Sequence, residues 1–139
     1  MGVRVFRTAK DSTAYTALDV AHTCKGGGVL FDAVSGAYGV LAWVRSPTPL
    51  SAGSYPLLGR ADSITPRGAV VAVRFILHDI AHGFPVDSGT LTLTSVGPEY
   101  RGRIQGSGTD AGLASRSRVD IVIDSVRPRP DSLACGAKG

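Results

Sequence analysis

Alternation of apolar and polar residues with a period of two is the strongest constraint this sequence places on its fold. Gly89-Thr90-Leu91-Thr92-Leu93-Thr94 sets threonines against leucines, and Val119-Asp120-Ile121-Val122-Ile123-Asp124 repeats the pattern with Val119, Ile121 and Ile123 on one side. Successive side chains on a strand point to opposite faces, so such segments fold as half-buried strands. Val3 and Val5 flank Arg4, Val29-Leu30-Phe31 follows Gly26-Gly27-Gly28, and Gly39 to Val44 is a short apolar run. Ala69 to Leu77 places Val71, Val73, Phe75 and Leu77 on one face, and Tyr100 to Gln105 follows a Gly97-Pro98 turn. The 18 Gly and 8 Pro fall where these segments end, as turn residues do. Helical signals are weak. Thr13 to His22 is the best candidate, with Thr13 as a cap, but Thr16 and Val20 are poor helix formers; Asp110 to Arg116 is short. Strands without crossover helices predict an all-β chain, a single antiparallel β-sandwich or flattened barrel of about seven to nine strands.

At 139 residues the chain is one domain's worth, spanning residues 1–139 with an extended tail after about 128. A 43% apolar, 19% charged composition excludes disorder, and no apolar run approaches the ~18 residues of a membrane span. The two cysteines, Cys24 and Cys135, are too few for a four-ligand structural zinc site. A bridge between them ties the early chain to its last residues; the alternative is two separate buried thiols. Bridged cysteines imply an oxidising compartment, hence an extracytoplasmic protein, periplasmic or secreted. Met1-Gly2-Val3-Arg4 leads directly into alternation with no apolar signal core, so that placement presumes a signal peptide already removed.

The sharpest local constellation is His78-Asp79-Ile80-Ala81-His82, with Asp87 beyond it. Paired histidines at this spacing hold zinc when they share a helix face with a glutamate beside the first. Here an aspartate stands there, and the segment follows a strong strand, with a bend at Gly83-Phe84-Pro85 as the one way to curl His82 back. Along a strand His78 and His82 stand about 13 Å apart, too far for one metal. A metal-dependent hydrolase on His78, His82 and Asp87 is therefore a secondary expectation. Gly106-Ser107-Gly108 reads as a glycine-rich loop, not a nucleophile elbow, and the triple glycine lacks the Lys-Ser/Thr of a phosphate loop. Glu99 is the sole glutamate, which argues against paired glycosidase carboxylates. No cofactor is indicated.

Twelve of the 15 basic residues are arginine, and the net charge is +4. Arg101/Arg103, Arg116/Arg118 and Arg127/Arg129 stand at i,i+2, so each pair shares a strand face and the last third can present a basic strip to an acidic partner or anionic surface. Nucleic-acid-binding sheets add exposed aromatics to such strips, and that region has only Tyr100, which argues against nucleic acid. Trp43 lies inside an apolar run and reads as core. With Tyr15, Tyr38, Tyr55 and Tyr100 it is the basis for a carbohydrate-binding alternative.

Pro49-Leu50-Ser51-Ala52-Gly53-Ser54-Tyr55-Pro56-Leu57 resembles the L-x-x-G-x-Y-x-L segment of small exported bacterial β-sandwich domains. Ser88 to Val96 and then Tyr100 to Gly108 are similar to their S-G-T-L-T-I-T-S-V…G-x-F-x-G hairpin, with Arg103 and Gln105 in place of apolar or Thr residues. The resemblance spans about residues 24–135. It implies a β-sandwich of secreted proteins or lipoproteins with one early and one late cysteine, and it brings no catalytic residues; this chain lacks a lipobox cysteine. The expected function is a non-catalytic extracytoplasmic binding or scaffold subunit of a cell-envelope or membrane-associated protein complex. An exposed edge at Val3–Thr8 is the expected site for strand addition to a partner protein.

Overall fold

The computed structural model describes residues 1–8, 10–110 and 115–135. Among them are twelve strands and no helix: β1 (Gly2–Phe6), β2 (Ser12–Thr16), β3 (Leu18–Cys24), β4 (Val29–Ser35), β5 (Tyr38–Arg45), β6 (Gly53–Pro56), β7 (Gly68–Leu77), β8 (Ile80–Val86), β9 (Ser88–Ser95), β10 (Tyr100–Asp110), β11 (Ser115–Val126) and β12 (Pro128–Leu133). They form two six-stranded sheets, β2-β1-β11-β10-β9-β6 and β12-β3-β4-β5-β7-β8, packed as a β-sandwich. All pairings between these strands are antiparallel except β12 with β3, which is parallel. The core is the alternate set the period-two pattern selects, with Phe31, Phe75, Leu91, Leu93, Ile104, Ile121 and Ile123 all at or below 2% exposure.

The count exceeds the seven to nine strands expected, for identifiable reasons. Thr13 to His22 is not a helix; it is most of β2 and β3, which the β-branched Thr16 and Val20 suit better. The chain passes from one sheet to the other at a single residue, Ala17, and does so again at Asp87 between β8 and β9 and at Arg127 between β11 and β12. Strands that switch sheets this way make the corners of a sandwich. Asp87 N–H donates to the Ser107 carbonyl at 3.1 Å, pinning one corner to β10. The second helix candidate, Asp110 to Arg116, is the end of β10 and the start of β11, with 111–114 outside the described residues. The extended segment after 128 is a strand paired with β3, its Leu133 in register with Cys24. Val3–Thr8 is not an edge either: β1 pairs with β11 on one side and β2 on the other.

Two glycine segments show why these residues stand where they do. Gly26, Gly27 and Gly28 have φ of 87°, 108° and 93°, a left-handed run that closes β3 onto β4 and that L side chains resist. Gly106-Ser107-Gly108 lies within β10, not in a loop. A Cβ on Gly108 would collide with the Pro85 carbonyl, so glycine here lets β8 cross closely over β10.

Cys24 and Cys135 are bonded, with a Cα–Cα distance of 5.4 Å across a sequence separation of 111. The bridge closes the end of the β3–β12 pair, beside the Lys25 N–H to Leu133 carbonyl bond of 2.7 Å. Among the described residues no helix is long and apolar enough to cross a membrane.

Candidate functional site

The histidine segment does not continue β7. His78 and Asp79, with φ of 52° and 63°, are the two central residues of a hairpin turn that returns the chain as β8, Leu77 pairing with Ile80. Both central residues left-handed is the type I′ geometry, in which Asn-Gly is preferred. The pair His78→Asn with Asp79→Gly is expected to raise stability by about 1 kcal/mol; an unchanged or lower urea midpoint would contradict this. The turn carries His82 back opposite Phe75, where the rings stack with centroids 5.6 Å apart. His82 Nδ1 and Asp110 Oδ2 lie 2.7 Å apart, with the side chains 9% and 4% exposed. The bond joins β8 of one sheet to β10 of the other. Asp110 carries no signal in the sequence, because it is 28 residues from His82.

Asp87 is elsewhere, its carboxylate accepting from Arg116 Nη2 at 2.7 Å. The three candidate metal ligands are thus a turn residue, a cross-sheet bond and a surface ion pair. Among the described residues no group of three or more His, Cys, Asp or Glu is placed to hold a metal ion. A carboxylate that fixes an imidazole is one part of general-base chemistry. However, the grooves beside Tyr15, Leu41 and Gln105 are lined by other residues. Packing surrounds this pair. Arg7 lies over Phe75, its Cζ 5.9 Å from the ring, and is held from outside by two bonds to Asp11 that lower the Asp11 carboxyl below its ordinary range.

The arginine pairs do not form one strip. Arg101, Arg103, Arg116 and Arg118 lie along β10 and β11, whereas Arg129 belongs to β12 of the second sheet, with Arg127 at the corner between. Most are neutralised across strands. Arg103 makes two bonds to Asp120, at 2.8 and 2.6 Å, and these hold that carboxyl below its usual range. Arg101 faces Asp124 at 3.6 Å, and Arg127 pairs with Glu99 at 3.3 Å. Arg118 lies 4.3 Å from the centroid of Phe6, its register partner on β1. This outer face of the first sheet mixes both charges with Thr90, Thr92, Gln105 and Ser107, the composition of a solvated surface.

The aromatic residues are not a platform. Tyr55 and Tyr100 are buried, the first donating to the Ser51 carbonyl at 2.6 Å and the second edge-on to Phe31. Tyr15 reaches inward to the Gly39 carbonyl at 2.9 Å and packs on Tyr38; burial pushes its hydroxyl pKa up. Trp43 corrects the expectation of a core residue. It lies on the outer face of β5 in register with Leu30 and Val70, half-buried under Arg45, whose Cζ is 5.1 Å from the ring.

That outer face is where the two sheets differ most. Strands β9 to β11 alternate, but Val29-Leu30-Phe31, Val40 to Val44 and Ala69 to Val73 are apolar at nearly every position. Strands buried on both faces read this way. One face of β4, β5 and β7 fills the core; the other turns outward and places Leu30, Trp43 and Val70 in one row and Leu41 beside Ala72 in the next. Leu18, Val34 and Leu41 are 80%, 44% and 47% exposed. Grooves of about 290 and 370 Å³ run on either side of Leu41. The 57–67 loop rims this face: Arg60 lines the larger groove, and Asp62 accepts from Arg45, which covers Trp43. The Thr65 hydroxyl and the Thr65 and Ile64 N–H groups bond the Asp62 carboxylate and bring its pKa down to about 2. The sequence signal for this site is the loss of alternation in these strands.

Compared with protein-family models, curated proteins and solved structures, the chain has no match.

Proposed function

We propose that this protein is a non-catalytic, extracytoplasmic binding or scaffold subunit of a cell-envelope or membrane-associated protein complex, and that it docks through the outer face of β4, β5 and β7. The observation that carries the reading is the double-sided apolar character of those strands. Solvent-facing sheets are mostly polar outside, as the first sheet is apart from Val122, and a contiguous apolar patch marks an interaction site. The Cys24–Cys135 bond supports the extracytoplasmic part, because such bonds persist in oxidising compartments.

Photo-crosslinking in the cells that make the protein tests it. A photoreactive residue in place of Leu41 is expected to give discrete protein adducts that weaken when Val34→Glu is added. The same residue in place of Thr92, outward on the first sheet, is expected to give none of them. Identical adduct patterns from both positions would overturn the proposal.

A further inference from the structure

The apolar face carries two charges, and their placement selects an occupant. Asp32 on β4 is in register with Leu41 on β5, which is in register with Ala72 on β7. Arg74 is two residues along β7, in register with Gly39. It lies across that glycine, since a Cβ there would meet Arg74 Nε at 3.2 Å. Among the described residues, neither Asp32 nor Arg74 has an ion-pair or side-chain hydrogen-bond partner. Both line the groove of about 290 Å³, at opposite sides of β5.

We infer that this face is covered by a second copy of the chain in a two-fold dimer. The inference rests on the reading that the face is a protein-docking surface, and it names the protein. A two-fold axis lying in the interface and crossing β5 between Gly39 and Leu41 exchanges the positions of Asp32 and Arg74. Each Asp32 then faces the second copy's Arg74, and the contact occurs twice. The same operation sets Leu41 of one copy toward the small Ala72 side chain of the other. An isologous contact requires a self-complementary patch. An apolar ridge at Leu41 beside the small Ala72, bracketed by one acid and one base, meets that requirement. The outer face of the first sheet, with its arginines, threonines and ion pairs, is no match for an apolar ridge.

The patch spans three strands at about 4.8 Å spacing, small for a standard interface, so the dimer is expected to be micromolar and concentration-dependent. Sedimentation equilibrium of the purified chain, with near-UV circular dichroism to verify folding, reads it. Wild-type protein is expected to dimerise. Leu41→Glu is expected to weaken dimerisation about 100-fold, and Asp32→Arg or Arg74→Asp alone about tenfold through like-charge contacts. The double variant Asp32→Arg/Arg74→Asp restores the pairing with signs exchanged, and recovery towards wild type is the decisive result. A folded wild-type chain that stays monomeric, or a double variant as weak as either single one, overturns the dimer. Monomer together with Leu41 crosslinks to a different protein rejects the second copy alone; monomer with no adduct specific to Leu41 rejects the docking face as well.

Discussion

Reducing the Cys24–Cys135 bond is expected to lower stability by about 4 kcal/mol. The cross-link closes 111 residues, nearly the whole chain, and a longer closed loop removes more freedom from the unfolded ensemble. The folded side of the balance points the same way. Strand β12 is the edge of its sheet, held to β3 by a parallel ladder whose register shifts between Arg129 and Ser132. Without the bond, β12 is expected to release first. Urea unfolding of the oxidised protein, the reduced protein and the Cys24→Ser/Cys135→Ser variant checks the magnitude, and amide exchange on β3 checks the order. Identical midpoints for oxidised and reduced protein would show that the bridge constrains nothing.

His82→Ala is expected to cost about 3 kcal/mol, combining a lost bond to a buried carboxylate with a lost ring stack. Asp110 is 3% exposed, and His82 is its 2.7 Å partner from the opposite sheet, so truncation removes both a brace between the sheets and the ring that covers Phe75. His78→Ala is the internal comparison, because His78 is a turn residue outside that brace. Thermal and urea denaturation of the two variants should separate them clearly. Equal losses would mean that the His82–Asp110 bond contributes nothing specific.

These two histidines also show how far the sequence can be read. Leu91, Leu93, Val119, Ile121 and Ile123 are legible as core because their strands alternate, and alternation is a local property. Strand β8 is not, because the turn before it is His78-Asp79, which lacks the Asn-Gly or Asp-Gly signature of the left-handed turn it forms. Nothing in the pattern announces a reversal there. Strands β2 and β3 are obscured because Thr13, a plausible cap, suggests a helix over residues that tertiary pairing holds extended. The arginine pairs are visible, but their partners are not. Asp120 lies 17 residues from Arg103 and Asp87 lies 29 from Arg116, and only strand register brings them together. The outer apolar face of β4, β5 and β7 stands between these cases. Its apolar runs are plain, but which of two apolar faces is left open depends on the packing of the sheets.

The three corners at Ala17, Asp87 and Arg127 have a mechanical consequence. Because a continuous run of chain passes from one sheet to the other at each of them, the two sheets are laced together rather than merely pressed face to face. Neither can peel away as an intact half; prying them apart tears strands out of both. Opening is therefore expected to be all-or-none, with no half-unzipped species to display the interior leucines and isoleucines to neighbouring chains. A protein that carries one apolar face outside its fold gains from having no second one to reveal by accident.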